Sequence, residues 1–119
     1  MSLGQEQEAF VKHVLLLINK AYELGFGVRI GEVERTAEQQ KIYVQTGRSK
    51  TMDSMHLKRC AIDLILVVGG KIATREQIKP LGDYWESLDP KNRWGGNWRG
   101  LVDSGKSRFI DAPHFERKV

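Results

Sequence analysis

The stretch that decides the fold reads Ser54-Met55-His56-Leu57-Lys58-Arg59-Cys60-Ala61-Ile62-Asp63-Leu64-Ile65-Leu66-Val67-Val68. From residue 61 to residue 68 the only polar side chain is Asp63, and Gly69-Gly70 follow directly. A run of Ile, Leu and Val with this boundary predicts a largely buried strand. Because an unpaired ionised carboxylate is costly to bury, Asp63 must be neutralised, paired with a cation or bound to a metal.

A second motif near the C-terminus, Asp111-Ala112-Pro113-His114, supplies the further histidine that a metal site would need. With His56 and Asp63, it gives a candidate set of three ligands. Two imidazoles and a carboxylate suit zinc, and a fourth position left for water is typical of catalytic zinc sites. The sequence therefore predicts a Zn²⁺ cofactor held by His56, Asp63 and His114, with Asp111 free to handle protons.

The order Ser-x-His, Ala-x-Asp and Asp-x-x-His resembles the M15 zinc peptidases of the LAS group. That group includes D-Ala-D-Ala carboxypeptidases and the L-alanyl-D-glutamate endopeptidases of bacteriophage lysis. The similarity extends over most of the chain and includes Glu34-Arg35-Thr36, Gln40, Trp94-Gly95-Gly96 and His114-Phe115-Glu116. One departure is Arg59, where the commonest family pattern has glycine. If that glycine needs a positive φ, the loop must differ locally here.

The resemblance implies roles for the residues around the metal. Asp111 is expected to be the catalytic base, although it could instead orient His114. The junction of a strand and a helix places Arg35 where it could reach a cleft or form a surface ion pair, and the resemblance favours binding of the substrate or the oxyanion. Ser54 and Gln40 are expected to bind substrate with it.

The fold expected from the resemblance is α+β, with a small, mainly antiparallel sheet flanked by helices, as in the LAS and hedgehog-like zinc peptidases. With 119 residues and 13.6 kDa, the chain is expected to form a single domain over residues 1–119. The apolar fraction of 40% and the charged fraction of 29% are typical of a globular protein and exclude a disordered or fibrous class.

Local patterns predict the elements around the metal motif. Apolar residues at helical spacing predict a helix from Gln5 to Leu24, and alternation predicts a strand from Phe26 to Ile30. Thr36 is predicted to cap a helix that ends near Gln45. Gly69-Gly70 predicts a tight hairpin, and Pro80 is predicted to open a helix through Leu88. Trp94 and Trp98 could form either a core clasp or a wall of the substrate groove.

Charge, hydropathy and cysteine content limit the binding partners, the membrane association and the disulfide bonds that the chain can have. The formal charge of +4 and the pI near 9.3 indicate attraction to polyanions, but the basic residues are scattered, so no dedicated nucleic-acid surface is expected. No apolar segment reaches the roughly 18 residues that a membrane span needs, so no membrane insertion is expected. Cys60 is the only cysteine, so an internal disulfide is impossible.

The predicted function is zinc-dependent cleavage of the peptidoglycan stem peptide, as an L-Ala-D-Glu endopeptidase resembling phage endolysins. The alternatives are a D-Ala-D-Ala carboxypeptidase of the same family and a non-catalytic, zinc-containing module that binds the cell wall. A metal-dependent nuclease has only the basic charge and the histidines in its favour. A monomer is expected, made in the cytoplasm without a signal peptide and reaching the wall by holin-type release.

Overall fold

The computed structural model describes all 119 residues and has the α+β architecture expected. Three helices and five strands form in chain order, with one turn of 3-10 helix at Met55–Lys58: α1 (Leu3–Glu23), β1 (Gly27–Ile30), α2 (Ala37–Gln45), β2 (Ala61–Val68), β3 (Lys71–Ile72), α3 (Arg75–Ser87), β4 (Asn92–Trp94) and β5 (His114–Arg117). None of the helices combines the length and the apolar character that crossing a bilayer requires.

Strand β2 is the centre of the sheet. The strands lie in the order β1-β2-β5-β4, and β3 pairs with the far end of β2 through the Gly69-Gly70 hairpin. Every pairing is antiparallel, as predicted. The first residues of β2 pair with β5 in a register that sets Asp63 opposite His114. On the other side of β2, Asp63 N–H donates to the Glu32 carbonyl at 2.9 Å, and Gly31 N–H donates to the Asp63 carbonyl at 2.7 Å.

The two faces of β2 differ in their surroundings. Ile62, Leu64 and Leu66 point into the main core, where helices α1 and α3 cover them with Phe10, Leu17, Leu81 and Trp85. Successive side chains of a strand point to opposite faces, so Asp63 lies on the other face. About a quarter of the surface of the Asp63 side chain, 24%, is exposed to solvent. The predicted burial of β2 is therefore complete only on the core face, and Asp63 faces a cleft.

Helix α1 begins at a capping box. The Ser2 side chain accepts from Gln5 N–H, and the Gln5 side chain accepts from Ser2 N–H. The helix therefore starts two residues earlier than predicted, and Gly25 follows its end with φ of 86°. The buried Glu6 near its start accepts from Arg117 of β5 at 3.0 Å and from Lys91 at 2.7 Å. This ion pair links the two ends of the chain, and no local sequence pattern predicts it.

The prediction that Pro80 opens a helix is wrong. Helix α3 begins at Arg75, because Thr74 and Gln77 form a second reciprocal capping box. Pro80 lies inside the helix, where its missing N–H removes one bond of the ladder. The cap and the burial of Ile78, Leu81 and Trp85 outweigh that loss.

Trp94 belongs to the core. It is fully buried at the end of β4, and its indole N–H donates to the Ala112 carbonyl at 2.7 Å. Its ring packs directly on the backbone of Gly82 in α3 and of Gly96, where an added Cβ would lie 2.1 Å from ring atoms. Helix α3 and strand β4 can approach this closely only because these two residues lack side chains.

Arg59, where the commonest family pattern has glycine, has a backbone conformation that glycine favours. It ends the 3-10 helix in the left-handed conformation, with φ of 54° and ψ of 37°. The arginine therefore adopts a positive φ itself. A non-glycine residue pays about 1–2 kcal/mol for this conformation.

Replacing Gly82 with Ala tests the packing of α3 on Trp94. Alanine is the better helix former, but its Cβ would overlap the indole, so we expect the free energy of unfolding to fall by about 1–3 kcal/mol. Urea denaturation measures the change. Gly4→Ala in α1 is the matched control, because its Cβ would meet only the Ser2 hydroxyl at 3.9 Å. Equal stability of the two variants would contradict the packing described.

Candidate active site

The three predicted ligands meet at one point. His56 Nε2 lies 3.2 Å from Asp63 Oδ1 and 3.2 Å from His114 Nδ1, and His114 Nδ1 lies 3.4 Å from Asp63 Oδ1. Both imidazoles are buried. His56 and His114 are 58 positions apart in the chain, yet with Asp63 they place three donor atoms in a nearly equilateral triangle.

This triangle fits a tetrahedral zinc ion. Ligand atoms about 2.0–2.1 Å from a tetrahedral zinc lie about 3.3–3.4 Å from one another, close to the three observed separations. The donor set of two imidazole nitrogens and one carboxylate oxygen is also one that zinc accepts. His56, Asp63 and His114 therefore have the chemistry and the spacing to hold zinc. The protein would supply three of the four tetrahedral ligands.

The imidazole of His56 is fixed by a backbone carbonyl. Its Nδ1–H donates to Val33 O at 2.8 Å, which leaves Nε2 unprotonated in the neutral ring and directed at Asp63 and His114. The short 3-10 helix that contains His56 begins at Ser54, whose hydroxyl accepts from His56 N–H at 3.3 Å. A metal-binding histidine commonly has its second nitrogen held in this way.

The imidazole of His114 is fixed by a carboxylate. Glu116 lies two residues further along β5 and so on the same face, and its Oε1 accepts from His114 Nε2–H at 2.8 Å. Arg93 Nε donates to the other oxygen of Glu116 at 3.0 Å. Burial raises the pKa of Glu116, but its bonds with His114 and the charge of Arg93 outweigh this and hold the pKa below its usual value.

Charges within the triangle balance one another. Burial opposes ionisation of Asp63, but the contacts with His114 and His56 outweigh this and hold the pKa of Asp63 well below its usual value. Burial likewise opposes the charge on His114, but Asp63 and Glu116 outweigh it and raise the pKa of His114 to about 9. A metal must therefore displace a proton from His114 at neutral pH.

Asp111 lies beside the triangle without joining it. Its Oδ2 is 3.9 Å from His114 Nδ1, and its side chain keeps 42% of its exposure. Burial of the carboxyl raises the pKa of Asp111, the charge of His114 opposes this, and Asp63 adds to the rise. The backbone holds the residue in place, since Asp111 N–H donates to Gly95 O at 2.8 Å and Gly95 N–H donates to His114 O at 2.8 Å.

Arg35 reaches the same cleft and is held on two sides. Its Nε donates to Glu32 at 2.6 Å and its Nη1 to Gln40 at 2.7 Å, while the guanidinium lies 4.6 Å from the Tyr43 ring centre. Its Nη2 has no hydrogen-bond partner in the protein, so one edge of the guanidinium remains available to a ligand. The hydrogen bond from Arg35 also holds the pKa of Glu32 below its usual value.

The structure separates the other two predicted substrate-binding residues. Ser54 lines the cleft and lies 3.4 Å from Arg35 Nη1. Gln40 is fully buried and does not line the cleft. Its amide donates to Ser49 at 2.8 Å and to the Thr51 carbonyl, so Gln40 connects Arg35 to the loop before the metal motif. Gln40 therefore contacts Arg35 from behind the cleft, and its role in binding substrate stays a prediction.

A cleft with a volume of about 880 Å³ lies over the metal triangle, and its lining includes the three ligands, Ser54, Arg35, Asp111 and Glu116. Trp98 forms part of its wall, with its ring 5.4 Å from that of His114 and stacked on Phe109 at 6.1 Å. Of the two tryptophans, Trp94 is thus the core residue and Trp98 the groove residue. Trp98 and Arg99 both have positive φ, of 47° and 55°, which concentrates backbone strain beside the site.

Sequence reasoning missed the residues that orient the ligands. Glu116 was noted only as part of a similar motif, although its i, i+2 spacing from His114 in a short extended segment was a usable signal. The Val33 carbonyl has no signal in the sequence, because a backbone acceptor is available at any position. Arg93 could not be assigned, since its contact with Glu116 depends on the pairing of β4 with β5. Glu32 lies only three residues before its partner Arg35, so that spacing was a usable signal.

Comparisons with known proteins agree on one family. The model of the family described as phage L-alanyl-D-glutamate peptidase matches residues 5–117. An L-alanyl-D-glutamate peptidase of Listeria phage A118 is 33% identical over 87 residues, which are 71% of this chain and 31% of that protein. The chain thus spans about a third of the length of this curated relative.

A solved structure shares the fold. The crystal structure of the Serratia marcescens L-Ala D-Glu endopeptidase ChiX superposes with a TM-score of 0.69 at 21% sequence identity, covering 93% of this chain and 79% of that one. The family match extends over the metal triangle, Asp111 and Arg35, from residue 5 to residue 117. This protein belongs to the phage L-alanyl-D-glutamate peptidase family.

Proposed function

We propose that this protein is a zinc-dependent endopeptidase that hydrolyses the L-Ala-D-Glu bond of the peptidoglycan stem peptide. Family membership supports the reaction. The observation that carries the proposal is the triangle of His56 Nε2, Asp63 Oδ1 and His114 Nδ1 at the base of a cleft that also contains Asp111 and Arg35. As a phage-type lysis enzyme, it would act as a monomer and reach the wall from the host cytoplasm through a holin-made pore.

His56, Asp63 and His114 would hold the metal. Bound zinc supplies a Lewis acid that polarises the scissile carbonyl and lowers the pKa of water into the neutral range. The protein supplies rigid ligands, because Val33 fixes the ring of His56 and Glu116 fixes that of His114. Such supports typically change metal affinity or activity about 10–100-fold when they are removed.

Asp111 would act as the general base. It lies at the edge of the triangle, close enough to reach a water molecule beside the ligands and too far from His114 for a good hydrogen bond. Its raised pKa lies closer to neutral pH. A carboxylate with such a pKa can both accept a proton from the attacking water and return it to the leaving amine.

Arg35 would bind the oxygen on which negative charge develops. The bonds to Glu32 and Gln40 fix the guanidinium before substrate arrives, and the unpartnered Nη2 supplies the donor. A donor that is already positioned costs no reorganisation during the reaction. The same group could instead anchor a substrate carboxylate, which would serve binding in place of catalysis.

The proposed reaction is tested by mass spectrometry of digested sacculi. We expect digestion to release stem peptides that begin with D-Glu and to leave muramyl-L-alanine on the glycan. Release of free D-alanine alone would replace this proposal with the carboxypeptidase alternative. An intact stem, with zinc bound at the triangle, would favour the non-catalytic module.

Metal binding should depend on pH in a defined direction. In the metal-free protein His114 is protonated below pH about 9. Zinc competes with that proton, so the apparent affinity should fall as the pH drops, by up to about tenfold per unit. Calorimetry in buffers of different ionisation enthalpy should show proton release at pH about 7.

Ligand variants provide the control for the metal prediction. His56→Ala and His114→Ala should lose most of the zinc that the native protein binds at one ion per chain. His13→Ala should keep it, because this third histidine lies in α1, contacts Trp85 and does not line the cleft. Equal zinc content in all three variants would contradict the assignment of the ligands.

The general base is tested by Asp111→Asn. The amide keeps the shape of the side chain but accepts no proton, so turnover on peptidoglycan should fall by about 10²–10⁴-fold while zinc content stays near one per chain. Asp53→Asn is the matched control, since this exposed carboxylate lies on the same cleft and pairs only with lysines. Loss of zinc in Asp111→Asn would make Asp111 a ligand, and near-normal turnover would refute its role.

A further inference from the structure

Four basic side chains line the cleft without any carboxylate partner: Arg48, Lys50, Lys106 and Arg108. Each is exposed, and Arg48 also stacks on Tyr43 with its guanidinium 4.3 Å from the ring centre. None of the four is within ion-pairing distance of an aspartate or glutamate, although the chain contains 15 of these acids. Their charges are therefore available to a ligand in the cleft.

Three of the five acidic side chains that line the cleft are paired with cations. Glu32 is paired with Arg35, and Glu116 is bound by His114 and Arg93. Asp53 lies 3.6 Å from both Lys58 and Lys118. The other two are Asp63, which belongs to the metal triangle, and Asp111, which lies beside it. With seven lysines and arginines against five acids, the cleft lining has a surplus of positive charge around the proposed reaction centre.

The four cations come from the two loops that lead into the ligands. Arg48 and Lys50 lie between α2 and the 3-10 helix that bears His56. Lys106 and Arg108 lie between β4 and Asp111, just before β5 begins at His114. Both loops line the cleft, so a substrate bound over the triangle lies within reach of long, flexible basic side chains from either.

We propose that this charge makes the enzyme selective for stem peptides whose D-Glu α-carboxylate is free over stems in which it is amidated. The inference rests on the proposed function and specifies its substrate. In the stem, D-Glu continues the chain through its γ-carboxyl, so its α-carboxylate sits on the carbon next to the scissile nitrogen. Amidation removes one negative charge at that point with little change of shape.

The expected size of the preference follows from the exposure of the cations. A hydrogen bond to a charged group contributes more than a neutral one, but exposed ion pairs are screened by solvent and salt. We therefore expect kcat/KM to be about 5- to 30-fold higher for the free carboxylate at low ionic strength. Because the screening length falls from about 10 Å at 0.1 M salt to about 3 Å at 1 M, the ratio should shrink as salt is added.

Two synthetic stem peptides test the inference on the native, zinc-loaded protein. They are identical except that one has D-glutamate and the other D-isoglutamine after L-alanine, and cleavage of the same bond is followed by chromatography. A higher kcat/KM for the D-glutamate peptide, decreasing with salt, is the expected result. Equal cleavage of both would overturn the inference and leave the proposed function intact. Cleavage of neither would refute the proposed function and this inference with it.

Paired substitutions locate the preference. Arg48→Gln with Lys50→Gln removes the cations of one loop, and Lys106→Gln with Arg108→Gln removes those of the other. At least one pair should bring the ratio of the two kcat/KM values close to one. The control is Lys12→Gln with Lys71→Gln, which makes the same change in net charge outside the cleft and should keep the native ratio. A preference that survives in both loop variants would overturn the assignment to these loops.

Discussion

The antiparallel pairing of β2 with β5 is the constraint on which the site depends. It sets Asp63 directly opposite His114, and the bonds of Asp63 to Gly31 and Glu32 fix β2 from the other side. Because side chains alternate along a strand, a slip of one residue would turn Asp63 into the core and Ile62 into the cleft. The burial of Ile62, Leu64 and Leu66 therefore specifies the register, and the register specifies the metal triangle.

Sequence reasoning worked where chemistry and local pattern coincided. A lone carboxylate in an apolar run requires a partner, and the three candidate ligands do come together in the fold. The hairpin follows from the two glycines that separate two apolar runs. The start of α3 was missed because Pro80 was given more weight than the capping box at Thr74. Gln40 was placed in the substrate site, although only the folded chain reveals that it is buried behind Arg35. Such assignments depend on distances between segments that no local pattern encodes.

The groups that support the site explain why so small a domain can hold it. Three of these side chains are fixed by neighbours: His56 by Val33 of another segment, His114 by Glu116 two residues along β5, and Arg35 by Glu32 and Gln40. Backbone strain at Arg59 and Trp98 lies next to these groups, where surrounding structure can hold an unfavourable conformation.

We propose that one zinc ion occupies the triangle and that Asp111 stays outside its coordination shell. The most direct test is an anomalous difference map, collected above and below the zinc absorption edge, from crystals of the zinc-loaded protein. The account predicts a single strong peak within bonding distance of His56 Nε2, Asp63 Oδ1 and His114 Nδ1, with the Asp111 carboxylate unbound. A peak at any other group of side chains, or one bonded to Asp111 in place of Asp63, would contradict it.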